Sequence, residues 1–534
     1  MFGSSKRWMR ERFQRQWGEN PLEADGDPLT ADRIERIRIL HDEMAVQEPG
    51  REIDDITWQD LEMDEVFWRL NHTRSFVGEQ VLYHRLHEVQ KERDWEDYEE
   101  QLAYLAKEEQ KRLDIEMKLN AIGKMDDAYA LPAFLANTGL WRIKRGWYLH
   151  ILQILLLMFI VTSIIFDNVL CIAGLAVTAL TNLMIYLYMK QRYEGFLAAL
   201  GRLKQIYEFA GWLMGDERLR KLFGSGKAES AIEELRGLSK LIADWSGRKY
   251  AGLSGDIVGI VNDYLWGISL LDVASFNHIM KVIGDKQEAV LSIVWLAGEV
   301  DAAIAVASYR AGTETWCMPQ PSDGDQILAE HIVHPLLSAA VANDFVLGGR
   351  AIVTGANASG KSTFMKALAV NMILAQTIHT CAAARFAAPR MHVMTCMSLR
   401  DDVLSGESYY FREAKYLKRM LDQMESGART LCVLDEILKG TNTRERLAAS
   451  DAILDYIAAF HCFVLVATHD MELARREDYE HYYFESRIDN GDVTFDYRIH
   501  EGLGGASNAI ALLAALHFPE SIVDKARRNV RAGV

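Results

Sequence analysis

The chain is short of cysteine, of proline over a long central stretch, and of positive charge. Its six cysteines, Cys171, Cys317, Cys381, Cys396, Cys432 and Cys462, are scattered without a CxxC pair. That pattern excludes a disulfide framework and a cysteine-held zinc site, and it fits a reducing compartment. Lys and Arg number 59 against 75 Asp and Glu, a net charge of −16. A surface that binds nucleic acid indiscriminately is thereby excluded, while a local basic groove stays open. Lys6, Arg7, Arg10, Arg12 and Arg15 near the amino terminus have no apolar run behind them, so no secretory signal is expected. An apolar share of 49% excludes a largely disordered chain.

From Tyr193 to Gly312 there is no proline, and the pattern reads as helical throughout. The stretches Leu253 to Val282 and Glu288 to Tyr309 are strongly amphipathic. Upstream, Thr30 to Ala45 has the spacing of an amphipathic helix. Leu70 to Leu82 reads as a turn between packed helices. Glu88 to Lys124, rich in Glu, Lys and Gln, predicts one long solvated helix.

Two segments break this character. Trp147 to Phe166 and Val169 to Met189 carry no formal charge, and each is long enough to cross the hydrocarbon of a bilayer. Arg142, Lys144 and Arg145 precede them, Lys190 and Arg192 follow, and the loop between holds neither Lys nor Arg. This asymmetry predicts a multi-pass membrane protein of two spans with both termini cytoplasmic. A helical hairpin buried in a large soluble core is the other structure with this pattern, since His150 and Gln153 dilute the first span.

The chemistry lies beyond Cys317-Met-Pro-Gln-Pro321, where strands begin to alternate with helices. Ala351 to Val353 reads as a buried strand, followed by Gly355-Ala-Asn357-Ala-Ser-Gly360-Lys361-Ser362-Thr363 and a helical pattern to Ala375. This is GxxxxGK[ST] in its strand–loop–helix setting. Glycines let backbone N–H groups curl around phosphates, Lys361 suits the β- and γ-phosphates, and the Ser362 hydroxyl suits Mg²⁺. ATP or GTP is the expected ligand. Leu431-Cys-Val-Leu-Asp435-Glu436 is an apolar strand ending in two carboxylates, Asp435 for Mg²⁺ and Glu436 to polarise water. Val464-Leu-Val-Ala-Thr468-His469 ends another strand; His469 either reads the γ-phosphate or is structural. Asp401 to Ser408 forms an acidic Ser/Gly-rich loop before a helix from Tyr409 to Met424, either an anion site or a plain cap.

Together these residues resemble the ATPase of the MutS DNA-mismatch-repair family, a branch of the ABC-type ATPases. Thr354 to Thr363 is similar to its TGPNxxGKST loop, Asp435 to Thr443 to DEIGRGTST, and Ala467 to Leu473 to ATHYFEL. His334-Pro335 and Phe345 match the HP pair and adenine-stacking aromatic. Asp401 to Glu413 matches DDxxxGxSxFxxE, whose serine, here Ser408, reaches the nucleotide of the opposite subunit. Gly505 to Arg527 looks like the C-terminal helix–turn–helix that helps the ATPases dimerise. More weakly, Leu70 to Leu86 is similar to LDxTxTxxGxRxLxxxL, with Asn71 replacing Asp, and Leu296 to Ala307 to ELDxLxSLA. No amino-terminal wedge domain with Phe-x-Glu and no nuclease module is expected, and the two uncharged spans stand where the family places lever helices and DNA clamp.

The expected architecture is therefore α + α/β: a helical core and lever with a two-helix transmembrane hairpin, then a P-loop ABC-type ATPase. Its segments are 1–50 (basic, helical), 51–146 (core), 147–189 (hairpin), 190–318 (second core and lever part) and 319–534 (ATPase). The resemblance implies a homodimeric ATPase using ATP and Mg²⁺, with Glu436, Lys361, His469 and Ser408 catalytic. Phe345, Gly355, Asn357, Gly360, Lys361, Ser362 and Thr363 would bind nucleotide, and Ser362 and Asp435 the metal. DNA is a partner by resemblance; the alternative is an ATP-driven switch acting on the membrane or a protein partner, without DNA.

Overall fold

The computed structural model describes residues 2–23, 30–46, 52–89, 94–166, 168–253, 257–322, 324–356, 358–397, 409–489, 492–504, 510, 513–514 and 518–531. Helices dominate, and two mixed sheets follow them along the chain. Helices α1 (Phe2–Gln16), α2 (Ala31–Ala45), α3 (Asp55–Asp60) and α4 (Met63–Leu70) lead into α5 (Phe76–His87). Every residue of α5 is buried. Ser75 starts it by accepting the Gly78 N–H at 3.1 Å, satisfying one orphan donor of the first turn. Glu79 on α5 is a buried carboxylate that takes hydrogen bonds from Asn71 at 2.8 Å, Arg33 at 2.9 Å and Lys124 at 2.7 Å, and one from Tyr129. Burial would raise its pKa, but Lys124 and Arg33 outweigh it and hold it at about 2. An aspartate at position 71 would put a second carboxylate here; Asn71 donates instead.

The region expected as one long solvated helix is two: α6 (Trp95–Lys107), capped by Asp94, and α7 (Glu109–Ile122), with Glu108 between. Tyr98, Leu102 and Leu105 of α6, and Leu113, Ile115 and Leu119 of α7, are buried. The Glu/Lys-rich composition conceals an apolar stripe at helical spacing, and packing of that stripe decides the outcome. Short helices α8 (Leu131–Ala136) and α9 (Thr138–Trp141) precede α10 (Trp147–Phe166) and α11 (Val169–Gly215). Helices α12 (Glu217–Phe223), α13 (Gly226–Leu253), α14 (Ile257–Ile268), α15 (Leu271–Asp285) and α16 (Gln287–Ala311) complete this half. The stretch expected as continuous from Leu253 to Val282 is broken at Leu270, which sits in the left-handed region with φ 55°.

Three stretches, Trp147–Phe166, Val169–Gln191 and Gln287–Ala311, are long and apolar enough to cross a membrane by length and composition. Their surroundings separate them. The most apolar window of α16 is 78% buried inside the protein, whereas those of α10 and α11 are 11% and 17% buried. In α16 the apolar residues form core against α5, α6 and α13; in α10 and in the Val169–Gln191 part of α11 most of them face outward, whereas those from Leu200 to Leu213 of α11 are core. Within this chain the apolar residues of α10 and of Val169–Gln191 are thus left largely uncovered. The two helices pack on each other where the Phe159 ring lies against Gly174, leaving no space for a Cβ.

In the second half, β1 (Gln320–Pro321), β2 (Ile327–Ile332), β3 (Asn343–Leu347) and β5 (Arg385–Ala388) form a sheet of order β1-β5-β2-β3. The larger sheet has the order β10-β9-β4-β8-β7-β6 and comprises β4 (Arg350–Gly355), β6 (His392–Cys396), β7 (Thr430–Asp435), β8 (Phe463–Ala467), β9 (Glu480–Asp489) and β10 (Asp492–Glu501). All its pairings are parallel except β9 with β10. Strands β4, β7 and β8 are unbroken apolar runs, as strands covered on both faces require. Helices α17 (Lys361–Thr377), α18 (Tyr409–Glu425) and α19 (Thr443–Ile457) cross over between them, and α20 (Glu520–Arg531) comes last.

Candidate functional site

The carboxyl ends of β4, β7 and β8 lie side by side, so the loops leaving them converge, which is where open α/β sheets bind ligands. After β4 the chain turns through Gly355, φ 147°, and Gly360, φ 106°, before α17 begins at Lys361. Both values suit glycine alone without strain. Lys361 is buried, and its ammonium donates to the carbonyls of Gly355 at 2.7 Å and Ala356 at 3.0 Å. Burial lowers its pKa, and the carboxylates of Asp435 and Glu436 oppose that shift. At the same helix start the Ser362 hydroxyl donates to Asp435 Oδ2 at 2.6 Å.

Glu436 follows directly in a left-handed conformation, φ 59°, with its N–H bonded to the Ala467 carbonyl at 3.0 Å. Its carboxylate lies 3.0 Å from His469 Nε2 and 3.6 Å from Lys439 Nζ. The His469 hydrogen bond, with help from Lys439 and Lys361, holds Glu436 at about 2 against the opposing effect of burial. Glu436 is thus an ionised acceptor at neutral pH. Leu438 repeats the left-handed conformation, φ 59°. Glu413 of α18 steadies this turn by accepting the Lys439 N–H at 3.1 Å.

A cavity of about 600 Å³ opens over these groups, a size that suits a nucleotide-scale ligand. Lys361, Ser362, Thr363, Asp435, Glu436, Lys439 and His469 line it at one end. His334, Ala340, Val341, Phe364, Phe484 and Tyr497 form the rest of its wall that matters here. Phe345, expected to stack on adenine, is not part of that wall. It is 2% exposed and packs edge-on against Phe364 and Tyr482, with ring centroids 5.0 and 4.9 Å apart. Strand β3 alternates buried and exposed residues, and Phe345 falls on its core face. The aromatic with an open ring beside the loop is Tyr497, adjacent to Gly360 and lifted by a bulge between Phe495 and Ile499 of β10. No motif points to it, because the bulge that aims it arises only from the β9–β10 pairing.

The structure thus brings Gly355, Gly360, Lys361, Ser362, Thr363, Asp435, Glu436 and His469 together. Asn357 and Asp401 to Ser408, including the Ser408 expected to serve the opposite subunit, lie outside the described residues. So does much of the expected helix–turn–helix between Gly505 and Arg527, of which α20 contains the last part.

The family model for MutS domain V matches residues 351–532. The DNA mismatch repair protein MutS of Natronomonas pharaonis is 30% identical over 269 residues, 48% of this chain and 31% of that protein. The DNA mismatch repair protein MutS of Ruminiclostridium cellulolyticum is 29% identical over 275 residues, again 48% of this chain and 31% of that protein. The DNA mismatch repair protein MSH3 of Phaeosphaeria nodorum is 29% identical over 271 residues, 47% of this chain and 24% of that protein. The matched part of the chain spans less than a third of the length of these relatives.

Proposed function

We propose that this chain, whose residues 351–532 match MutS domain V, is a membrane-anchored ATPase of the MutS type working as a homodimer. The observation that carries the ATPase reading is the convergence of Lys361, the Ser362–Asp435 pair and the Glu436–His469 pair on one cavity. A hydroxyl and a carboxylate 2.6 Å apart are hard oxygen donors and fit Mg²⁺. When bound, Mg²⁺ neutralises charge on the terminal phosphates of ATP. Lys361 exchanges its loop carbonyls for phosphate oxygens, and the N–H groups at the start of α17 meet the same charge. Glu436, held ionised, orients the attacking water, and His469 fixes the carboxylate and reads the terminal phosphate.

The segments serve this as a P-loop domain over 319–534, a helical core and lever over 51–146 and 190–318, and a basic segment over 1–50. Residues 147–189 form a transmembrane hairpin with both termini cytoplasmic. The outward apolar faces of α10 and α11 support the anchor. The family's lineage supports DNA as a partner of the helical arms. A second reading, in which ATP closure acts on the membrane or a protein partner without DNA, is favoured by the net charge of −16 and by these apolar faces. Salt-dependent DNA binding with and without ATP separates the two.

The site is tested by substitution in the purified full chain. Glu436→Gln is expected to keep ATP binding and lower turnover by about 100-fold or more, as expected for loss of a group acting in the transition state. Lys361→Ala is expected to weaken ATP binding itself. Near-normal turnover in Glu436→Gln removes the assignment.

A further inference from the structure

Helix α14 is built the wrong way round for a helix facing water. Its outward face carries Val261, 53% exposed, and Leu265, 61% exposed, one turn apart. Leu271, just beyond its end, is 42% exposed. Its inward face, against α11, carries the acid: Asp263 accepts from the Tyr186 hydroxyl at 2.6 Å and from Lys190 at 2.9 Å. Close contact is secured by Gly267, whose missing side chain leaves room for the Tyr186 ring. A soluble amphipathic helix places apolar residues inward and charge outward; on α14 the one acid turns inward while Val261, Tyr264 and Leu265 are exposed beside Asn262.

Its position supplies the reason. Asp263 lies level with Lys190 at the end of the second uncharged stretch, and Asn182 Nδ2 donates to the carbonyl of Ile268 at 2.9 Å. From Lys190 back to Asn182 is eight residues, about 12 Å along a helix. The carboxyl end of α14 therefore stands about 12 Å inside the level at which that stretch ends. Asn182, fully buried within an apolar helix, has a partner because α14 reaches it. Helix α15 then leads back, and its Asn277 accepts the Ile143 N–H at 2.8 Å just before α10 starts. Helix α14 packs on α11, and α15 packs on α10.

We propose that α14 and the turn at Ser269–Leu271 form a re-entrant element of the membrane domain, with Leu265 and Leu271 in lipid hydrocarbon of the cytoplasmic leaflet. The element enters and leaves on the same side; at its turn the Ser269 and Leu270 N–H groups bond to the carbonyls of Leu265 and Gly267, and Asn182 donates to that of Ile268. Its one acid is neutralised by Lys190 on the protein side, as an ionisable group near lipid requires. The inference rests on the membrane reading of α10 and α11. It adds lipid contact from the lever half itself, so movement of α13 and α15 would be felt in the bilayer through α14.

The test uses the full chain in phospholipid vesicles, with the partly accessible Cys171, Cys317 and Cys462 replaced by Ala. Single cysteines at Leu265, at Leu157 on α10 and at Leu241 on α13 carry a small environment-sensitive fluorophore. Emission is challenged with nitroxide-bearing lipid and with aqueous iodide, in variants that retain ATP turnover. Quenching of the Leu265 and Leu157 probes by lipid nitroxide, and of the Leu241 probe by iodide, is the expected result. Iodide quenching at Leu265 with lipid quenching at Leu157 overturns the inference and leaves the two-span anchor standing. Iodide quenching at Leu157 removes the anchor, and the inference with it. Protection of Leu265 from both quenchers means that protein covers α14, a second copy or another partner, and also overturns the inference.

Discussion

Tyr497 holds a left-handed backbone, φ 54°, with its ring beside Gly360 and 46% exposed. Such a conformation costs about 1–3 kcal/mol and persists only where surrounding structure enforces it. Here Asn343 enforces it, donating to the Tyr497 carbonyl at 3.1 Å and accepting the Ile499 N–H at 2.7 Å. An aromatic face so placed suits a nucleotide base. Tyr497→Ala is expected to raise the Kd for ATP by roughly tenfold, about the 1.4 kcal/mol that such stacking contributes. Turnover at saturating ATP should stay near normal, because Tyr497 is assigned to the base and Glu436 and His469 to the terminal phosphate; equilibrium titration with a fluorescent nucleotide measures the change. The phosphate-binding end of this site was legible from residue types alone, since Gly355 to Thr363 and Asp435-Glu436 are each contiguous in the chain. The other end was not. Its walls come from β3, α17, β9 and β10, and whether Phe345 or Tyr497 faces the cavity depends on strand alternation and on a bulge.

Among elements, α10 and the first half of α11, to Met189, were legible by length and absence of charge, whereas the continuation of α11 to Gly215 and the shapes of α6, α7 and α14 were not. Composition marked the α6–α7 region as solvated although its Leu and Tyr residues are core. The sequence marks α14 only as part of an amphipathic stretch, and the direction of its apolar residues comes from its packing on α11. The proposed lipid exposure of α10 and of the first part of α11 has a direct consequence for substitution. Leu157 and Val177 both point outward, so arginine at each would place a charge in hydrocarbon at about 2.5–3.5 kcal/mol apiece. The double variant Leu157→Arg, Val177→Arg is expected to leave the membrane pellet on alkaline carbonate extraction, while the parent chain stays. Full retention of the double variant would place those faces against protein instead of lipid.

At the scale of the whole molecule, buried neutral histidines tie stability to pH. Burial lowers His41 to about 4, His72 to about 3 and His334 to about 4, from an ordinary value of 6.5. The unfolded chain takes up these protons near pH 6.5 and the folded chain only near pH 4 or below. Stability is therefore full above pH 6.5 and falls as pH drops through that window, by about 1.4 kcal/mol per pH unit for each group. Denaturant unfolding between pH 7 and 4.5 should show this loss, and His334→Gln should make it shallower.

The central claim is that ATP works by closing two copies of the chain. It is tested most directly by the rate of ATP hydrolysis per chain as the density of the full-length protein in vesicles or detergent is varied. The account expects the per-chain rate to rise with density and to level off as dimers saturate. It also expects an excess of the Lys361→Ala chain to suppress the rate of the parent. A per-chain rate that is constant down to densities where the chain is strictly monomeric would contradict it.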